Sequence, residues 1–244
     1  MVFLNPDRTY SANGVTVKEY LLTKHNPNKI DLPGKRILNF EGYTVHNTEK
    51  ISVNAKTTMA EQYTRATVNG NMGTVRVHFY VDDIEAWQNL PLDQQSWHAG
   101  QSGKAEANGS HLGNQATVSI EVIGSSAKAE DNAARLIAWL MAQQGAGLDK
   151  LYTHNYWCNV RNGKKGTVDE LNKLPDGYKG CPAYIRPHWD KFKDKVGGYL
   201  GELVDNKSLY RIQVGAYRNK ENAERQLEKV KKVFPDAYIV KTEG

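Results

Sequence analysis

The chain has 244 residues, 39% of them hydrophobic and 24% charged, with a formal charge of +5. This composition suits a folded globular protein of one large domain plus an appendage, or of two modest domains, and excludes a disordered chain. No stretch is apolar for long enough to span a bilayer, and the dispersed positive charge offers general attraction to polyanions with no motif for nucleic acid.

The opening segment, MVFLNPDRTYSANG, lacks the basic start and apolar run of a secretory leader, so synthesis in a cytoplasm without a Sec-type exit is expected. Residues 1–36 are polar and broken by Asn26, Pro27, Pro33 and Gly34, leaving one short element over 17–23. Residues 37–46, ILNFEGYTVH, read as a β-branched and aromatic strand ending on a histidine. An amphipathic helix is expected over 57–68, with Ala60, Tyr63 and Ala66 or Thr67 on one face. A strand over 75–82, a turn at Asp82-Asp83 and a returning strand over 86–90 follow. The Gly/Ser/Asn-rich stretch 99–115 reads as an exposed loop. Residues 117–123, TVSIEVI, form an almost unbroken β run of the kind buried on both faces of a sheet. The clearest helix covers 130–144, acidic at its start and stopped by Gly145. A short strand over 151–154 ends in a second histidine. An excursion rich in Gly, Lys and Asn over 159–180 then leads to Cys181-Pro182. Residues 191–206 read as a polar, glycine-containing connector. Alternation returns at Tyr210, Ile212 and Val214, followed by a helix over 222–234 and a strand over 237–241. Such a β-α-β unit is too short to hold a firm core alone.

Three residues stand out chemically: His46, His154 and Cys181, each at a strand end or beside a loop, where an α/β sheet assembles its site. Neutral imidazoles and a thiolate are good zinc ligands, and three protein ligands leave the fourth tetrahedral position for water. Their spacing is far wider than any local zinc motif. On spacing alone, a pair of satisfied core histidines and a buried thiol is the favoured account. A disulfide between Cys158 and Cys181 would not be the framework of so large a chain. Glu121 shifts the balance, because an acid inside TVSIEVI is costly if it points into an apolar layer. It serves either as a salt-bridge partner or as a general base, raised in pKa by partial burial, for a zinc-held water. With no partner nearby in sequence, the second role is preferred.

The blocks YTVHNT, WHAG, VSIEVIG, LYTHNYW and KGCP, in that order, resemble the amidase-2 family, the N-acetylmuramoyl-L-alanine amidases of phages and bacilli, related to peptidoglycan recognition proteins. The resemblance spans roughly residues 15–195. It implies an α/β fold with a central mixed β-sheet flanked by helices, and bacterial peptidoglycan as substrate. It further implies His46, His154 and Cys181 as zinc ligands and Glu121 as the catalytic acid/base. Lys179 matches a lysine thought to stabilise the oxyanion, with a solvated loop lysine as the even alternative. His98 matches a cleft residue that contacts substrate, against a structural loop histidine. Trp97, Trp157 and Trp189 would wall the cleft for sugar or peptide, although aromatics this scattered more often serve a core. Where some relatives carry a catalytic tyrosine the chain has Val77, which throws more weight onto Glu121. The neighbouring His78 fits a core residue or one behind the ligands. Cys158 has no family counterpart and reads as packing.

YRIQVGAY followed by an Ala/Leu-spaced helix resembles the start of a SPOR domain, the module that recognises peptidoglycan strands stripped of peptide. Only one of the usual two β-α units is present. Pairing with its copy on another chain through a strand edge would give a homodimer. Packing on the amidase part, a truncated sequence and an unspecialised cap are the alternatives. The expected layout is therefore a zinc amidase over 1–198, a linker over 199–207 and a SPOR-like wall-binding segment over 208–244. The implied protein is a phage or prophage endolysin, made in the host cytoplasm and reaching the wall after holin-type release, with a bacterial autolysin using another export route as the alternative. A non-catalytic peptidoglycan-binding protein is the alternative; recognition proteins of this fold often lose the cysteine that this chain keeps.

Overall fold

The computed structural model describes residues 4–49, 56–100, 112–175, 180–207, 215–234 and 237–239. They fall into two units, Met1–Asp205 and Asn206–Gly244. The strands of the first are β1 (Arg8–Ala12), β2 (Val15–Glu19), β3 (Gly42–Thr48), β4 (Phe79–Val81), β5 (Ala86–Gln88), β6 (Thr117–Ile123) and β7 (Leu151–Thr153). Among the described residues they form one mixed α/β sheet in the order β1-β2-β5-β4-β6-β3-β7. The pairs β4/β6, β6/β3 and β3/β7 are parallel, while β1/β2 and β4/β5 are antiparallel.

The β1–β2 hairpin corrects the expectation of an irregular N-terminal stretch. It turns at Asn13 (φ 50°) and Gly14 (φ 84°), the left-handed Asn-Gly pair whose twist matches a two-residue hairpin. Strand β3 starts at Gly42 and not at residue 37. Leu38 is 87% exposed, and the amides of Ile37 and Glu41 bond to the carbonyls of Asp93 and Ala116.

Period-2 alternation gives the sheet two unlike faces. On one, Tyr43, Val45, Phe79, Val81, Val118, Ile120 and Val122 pack with helices α3 and α6 into the main core. On the other, Thr44, His46, Thr117, Ser119, Glu121 and Tyr80 lie in register. Strand β6 is thus covered on both faces as its sequence suggests, with one cover apolar and the other polar.

Helix α1 (Met59–Val68) is capped by Thr58, and a short α2 (Leu112–Ala116) takes up the end of the expected loop 99–115. Helix α3 (Ala127–Gln144) begins three residues earlier than its charge pattern suggests, because the Ser126 side chain accepts from the Ala129 amide; Gly145 (φ 65°) ends it. Helices α4 (His154–Arg161) and α5 (Val168–Lys173) occupy much of the expected excursion. The expected connector 191–206, including the proposed linker 199–207, is instead helix α6 (Trp189–Lys207). Its Trp189, Phe192 and Val196 are buried in the core. Gly197, within that expected connector, lies where an added Cβ would come within 2.9 Å of Leu148.

In the second unit, helix α7 (Lys220–Lys231) is capped by Asn219, whose side chain accepts from the Glu221 amide. The expected strand at Tyr210, Ile212 and Val214 and residues 240–241 lie outside the described residues; 237–239 are irregular. Among the described residues no helix is long and apolar enough to cross a membrane.

Candidate metal centre and active site

The polar sheet face carries one row of side chains across the strands. His46 of β3 is in register with Glu121 of β6, which is in register with Tyr80 of β4. Val45 pairs with Thr153, so the next residue along, His154, arrives beside His46, with ring centroids 4.8 Å apart. Cys181 comes from the segment between α5 and α6. The Asn155 amide donates to its carbonyl at 2.8 Å, which ties that segment to the first turn of α4. Asn47, next to His46, holds it from the other side of β3. Its Oδ1 accepts from the Tyr184 amide (3.2 Å), while its Nδ2 donates to the carbonyls of Val122 (3.0 Å) and Gly124 (2.8 Å).

Donor atoms of His46, His154 and Cys181 all lie within 4.8 Å of one another, and all three residues are buried. Cys181 Sγ is 3.8 Å from His46 Nδ1. Zinc–nitrogen and zinc–sulfur bonds of about 2.1 and 2.3 Å place tetrahedral ligands about 3.3–3.7 Å apart, so two imidazoles and a thiol at these separations fit such an ion. The outer nitrogens are held as metal-ligating histidines require. His154 Nε2 donates to the Gly100 carbonyl at 2.9 Å, and His46 Nε2 lies 2.8 Å from His98 Nδ1.

Glu121 is half-buried in β6 beside this trio. Lys179 lies outside the described residues. Trp97 is half-buried, and its backbone exchanges two hydrogen bonds with Arg76. His98 is only 7% exposed; its Nε2 donates to the Gly113 carbonyl at 3.0 Å, and burial pushes its pKa well below the usual histidine value. His78 is wholly buried: it accepts from the Ser119 amide at Nδ1 and donates from Nε2 to the Gln94 carbonyl. Burial brings its pKa down to about 4. Cys158 is a buried thiol of α4, in no disulfide, and stands outside the donor trio. Sequence reasoning missed Asn47, Thr44, Thr117 and Asn114. The only available signal was alternation, which puts Thr117, Ser119 and Glu121 of TVSIEVI on a single face.

The family described as N-acetylmuramoyl-L-alanine amidase matches residues 36–170, and the SPOR domain matches residues 191–244, beginning within α6. The chain is 35% identical over 159 residues to the N-acetylmuramoyl-L-alanine amidase XlyA of Bacillus subtilis, covering 64% of this chain and 43% of that protein. It is 31% identical over 187 residues to the amidase CwlH of the same organism, covering 75% and 61%. It thus spans about half the length of these curated relatives. The solved catalytic domain of XlyA is similar with a TM-score of 0.55 at 31% identity, over 75% of this chain and 100% of that one. The amidase match takes in His46, Glu121 and His154, and it covers more than half of the residues: the chain belongs to the N-acetylmuramoyl-L-alanine amidase family.

Proposed function

We propose that the chain hydrolyses the amide joining N-acetylmuramic acid to L-alanine in peptidoglycan, with zinc held by His46, His154 and Cys181. The observation that carries this reading is the register of β3 against β6, which sets Glu121 beside the buried His46/His154/Cys181 trio. A zinc ion held by these three residues would supply Lewis-acid chemistry, acidifying water and polarising the amide carbonyl. Glu121 takes a proton from the attacking water and returns it to the departing nitrogen, so that water adds to the carbonyl carbon and the C–N bond breaks. The products are the lactyl carboxylate of the sugar and the free amino group of alanine. Lys179 would steady the negative charge on the carbonyl oxygen. Trp97 would line the cleft.

The retained thiol and acid favour catalysis over a binding-only protein. The SPOR match supports wall binding by 208–244, with pairing of two such segments as a route to a homodimer. The likeness to a solved structure described as a mutant endolysin from Bacillus subtilis, at 31% identity, supports an endolysin-type role, for which release to the wall would be by a holin. The test is a digest of purified cell wall, followed by new amino termini and muropeptide masses. Glu121→Gln is expected to keep its zinc and lose about 10²–10⁴-fold in rate. A zinc-loaded parent that liberates no amino termini, or a Glu121→Gln chain as fast as the parent, would sink the proposal.

A further inference from the structure

Beneath the trio runs a hydrogen-bond chain whose direction is fixed by which atoms can only donate or only accept. The indole Nε1 of Trp157 has a hydrogen and no acceptor capacity, so it donates to Thr44 Oγ1 at 2.8 Å. At the far end, the Gly113 carbonyl can only accept, and it does so from Thr117 Oγ1 at 2.7 Å. That uses the single hydroxyl hydrogen of Thr117, so the 2.7 Å contact between Thr44 and Thr117 has Thr44 as donor. The same carbonyl receives His98 Nε2 at 3.0 Å. The neutral His98 ring then has its lone pair on Nδ1, and the partner at 2.8 Å, His46 Nε2, must carry the hydrogen. The lone pair of His46 is left on Nδ1, the atom that faces Cys181 Sγ.

Other contacts keep this arrangement in place. Asn114 Oδ1 accepts from the backbone amides of both His98 (2.8 Å) and Ala99 (2.7 Å). Gly113 sits so close to its neighbours that a Cβ there would meet Ala99 Cβ at 2.5 Å and the Trp157 ring at 3.0 Å. The carbonyl that orients His98 is therefore held by packing as well as by hydrogen bonds.

We propose that His98 is a positioning residue for the metal ligand His46, fixing its tautomer and ring orientation through its own bond to the Gly113 carbonyl, which the Trp157–Thr44–Thr117 chain also engages. This rests on the metal-centre reading above. A hydrogen bond from the His98 ring to substrate would require a nitrogen that these two bonds already use.

The test uses the full chain, with zinc affinity measured against a chromophoric chelator and with the absorption spectrum of the cobalt-substituted protein. His98→Leu, which fills the space without an acceptor, is expected to weaken zinc binding roughly 10–100-fold and to shift the cobalt ligand-field bands. His98→Asn, which restores an oxygen to accept from His46, recovers most of the affinity. Imidazole nitrogen shifts of the metal-free parent need no substitution: both His46 and His98 should show a protonated Nε2 and an unprotonated Nδ1. Parent-like zinc affinity and cobalt spectrum in His98→Leu, with uptake lost in Cys181→Ser, overturn this proposal alone. The opposite tautomer at His46 does so too. A parent chain that takes up neither metal overturns the metal centre and this proposal together.

Discussion

At the scale of single residues, Asn47 has the widest reach for the least sequence signal. Its amide group satisfies two carbonyls, near the end of β6 and in its following turn, and the N–H of Tyr184, three residues after Cys181. Truncating it leaves three backbone groups, two buried and one half-buried, to find other partners, each a penalty of order 1–3 kcal/mol before relaxation when buried. Asn47→Ala is expected to lose about 2–4 kcal/mol of unfolding free energy in urea, and a loss below about 0.5 kcal/mol would show that water replaces the amide. Asn47 lies within the block YTVHNT, but a strand asparagine offers neither metal-binding nor acid/base chemistry, so its structural part was not marked in advance. The ligand candidates were legible for the opposite reason: imidazole, thiol and an acid inside an apolar strand are rare chemistry in such settings.

Among elements, α3 was the most readable because its start and stop are local. Ser126 caps it and Gly145 takes the left-handed turn that ends it. Helix α6 was not readable, since three glycines argued against a helix whose stability comes from burying Trp189, Phe192 and Val196. The two helices are joined by Glu130, which accepts from His188 at 2.6 Å and from Lys195 at 2.7 Å. Burial works to raise the Glu130 pKa, but the hydrogen bonds from His188 and Lys195 prevail and hold it below the ordinary value of 4.5. A carboxyl depressed in the folded state contributes stability that is fully present above the unfolded value and is lost as pH falls through the folded one. Urea unfolding of the parent and of Glu130→Gln from pH 6 downward should therefore show a gap that narrows below about pH 4.5. A gap of constant size would argue against the pairing.

For the whole molecule, the decisive feature is that the three donors come from separate places: β3, the first turn of α4 and the segment before α6. A metal bound only by the folded chain stabilises it by mass action, about 2.7 kcal/mol at a hundredfold excess over Kd. Chelation should accordingly lower the melting temperature and added zinc should restore it. Cys181→Ser should lose most of that zinc-dependent shift, and an equal shift in both chains would contradict the ligand assignment. The sequence by itself determined the local and the chemical: the strand TVSIEVI, the capped helix α3, the family blocks and the residue types able to hold a metal. These follow from side-chain period, caps and donor chemistry, all properties of neighbouring residues. The tertiary structure alone decided that β6 lies between β3 and β4, that its second face is polar, and that His98 stands behind His46. Those depend on strand register and packing between segments far apart in the chain, where a shift of one residue would turn every side chain to the other face.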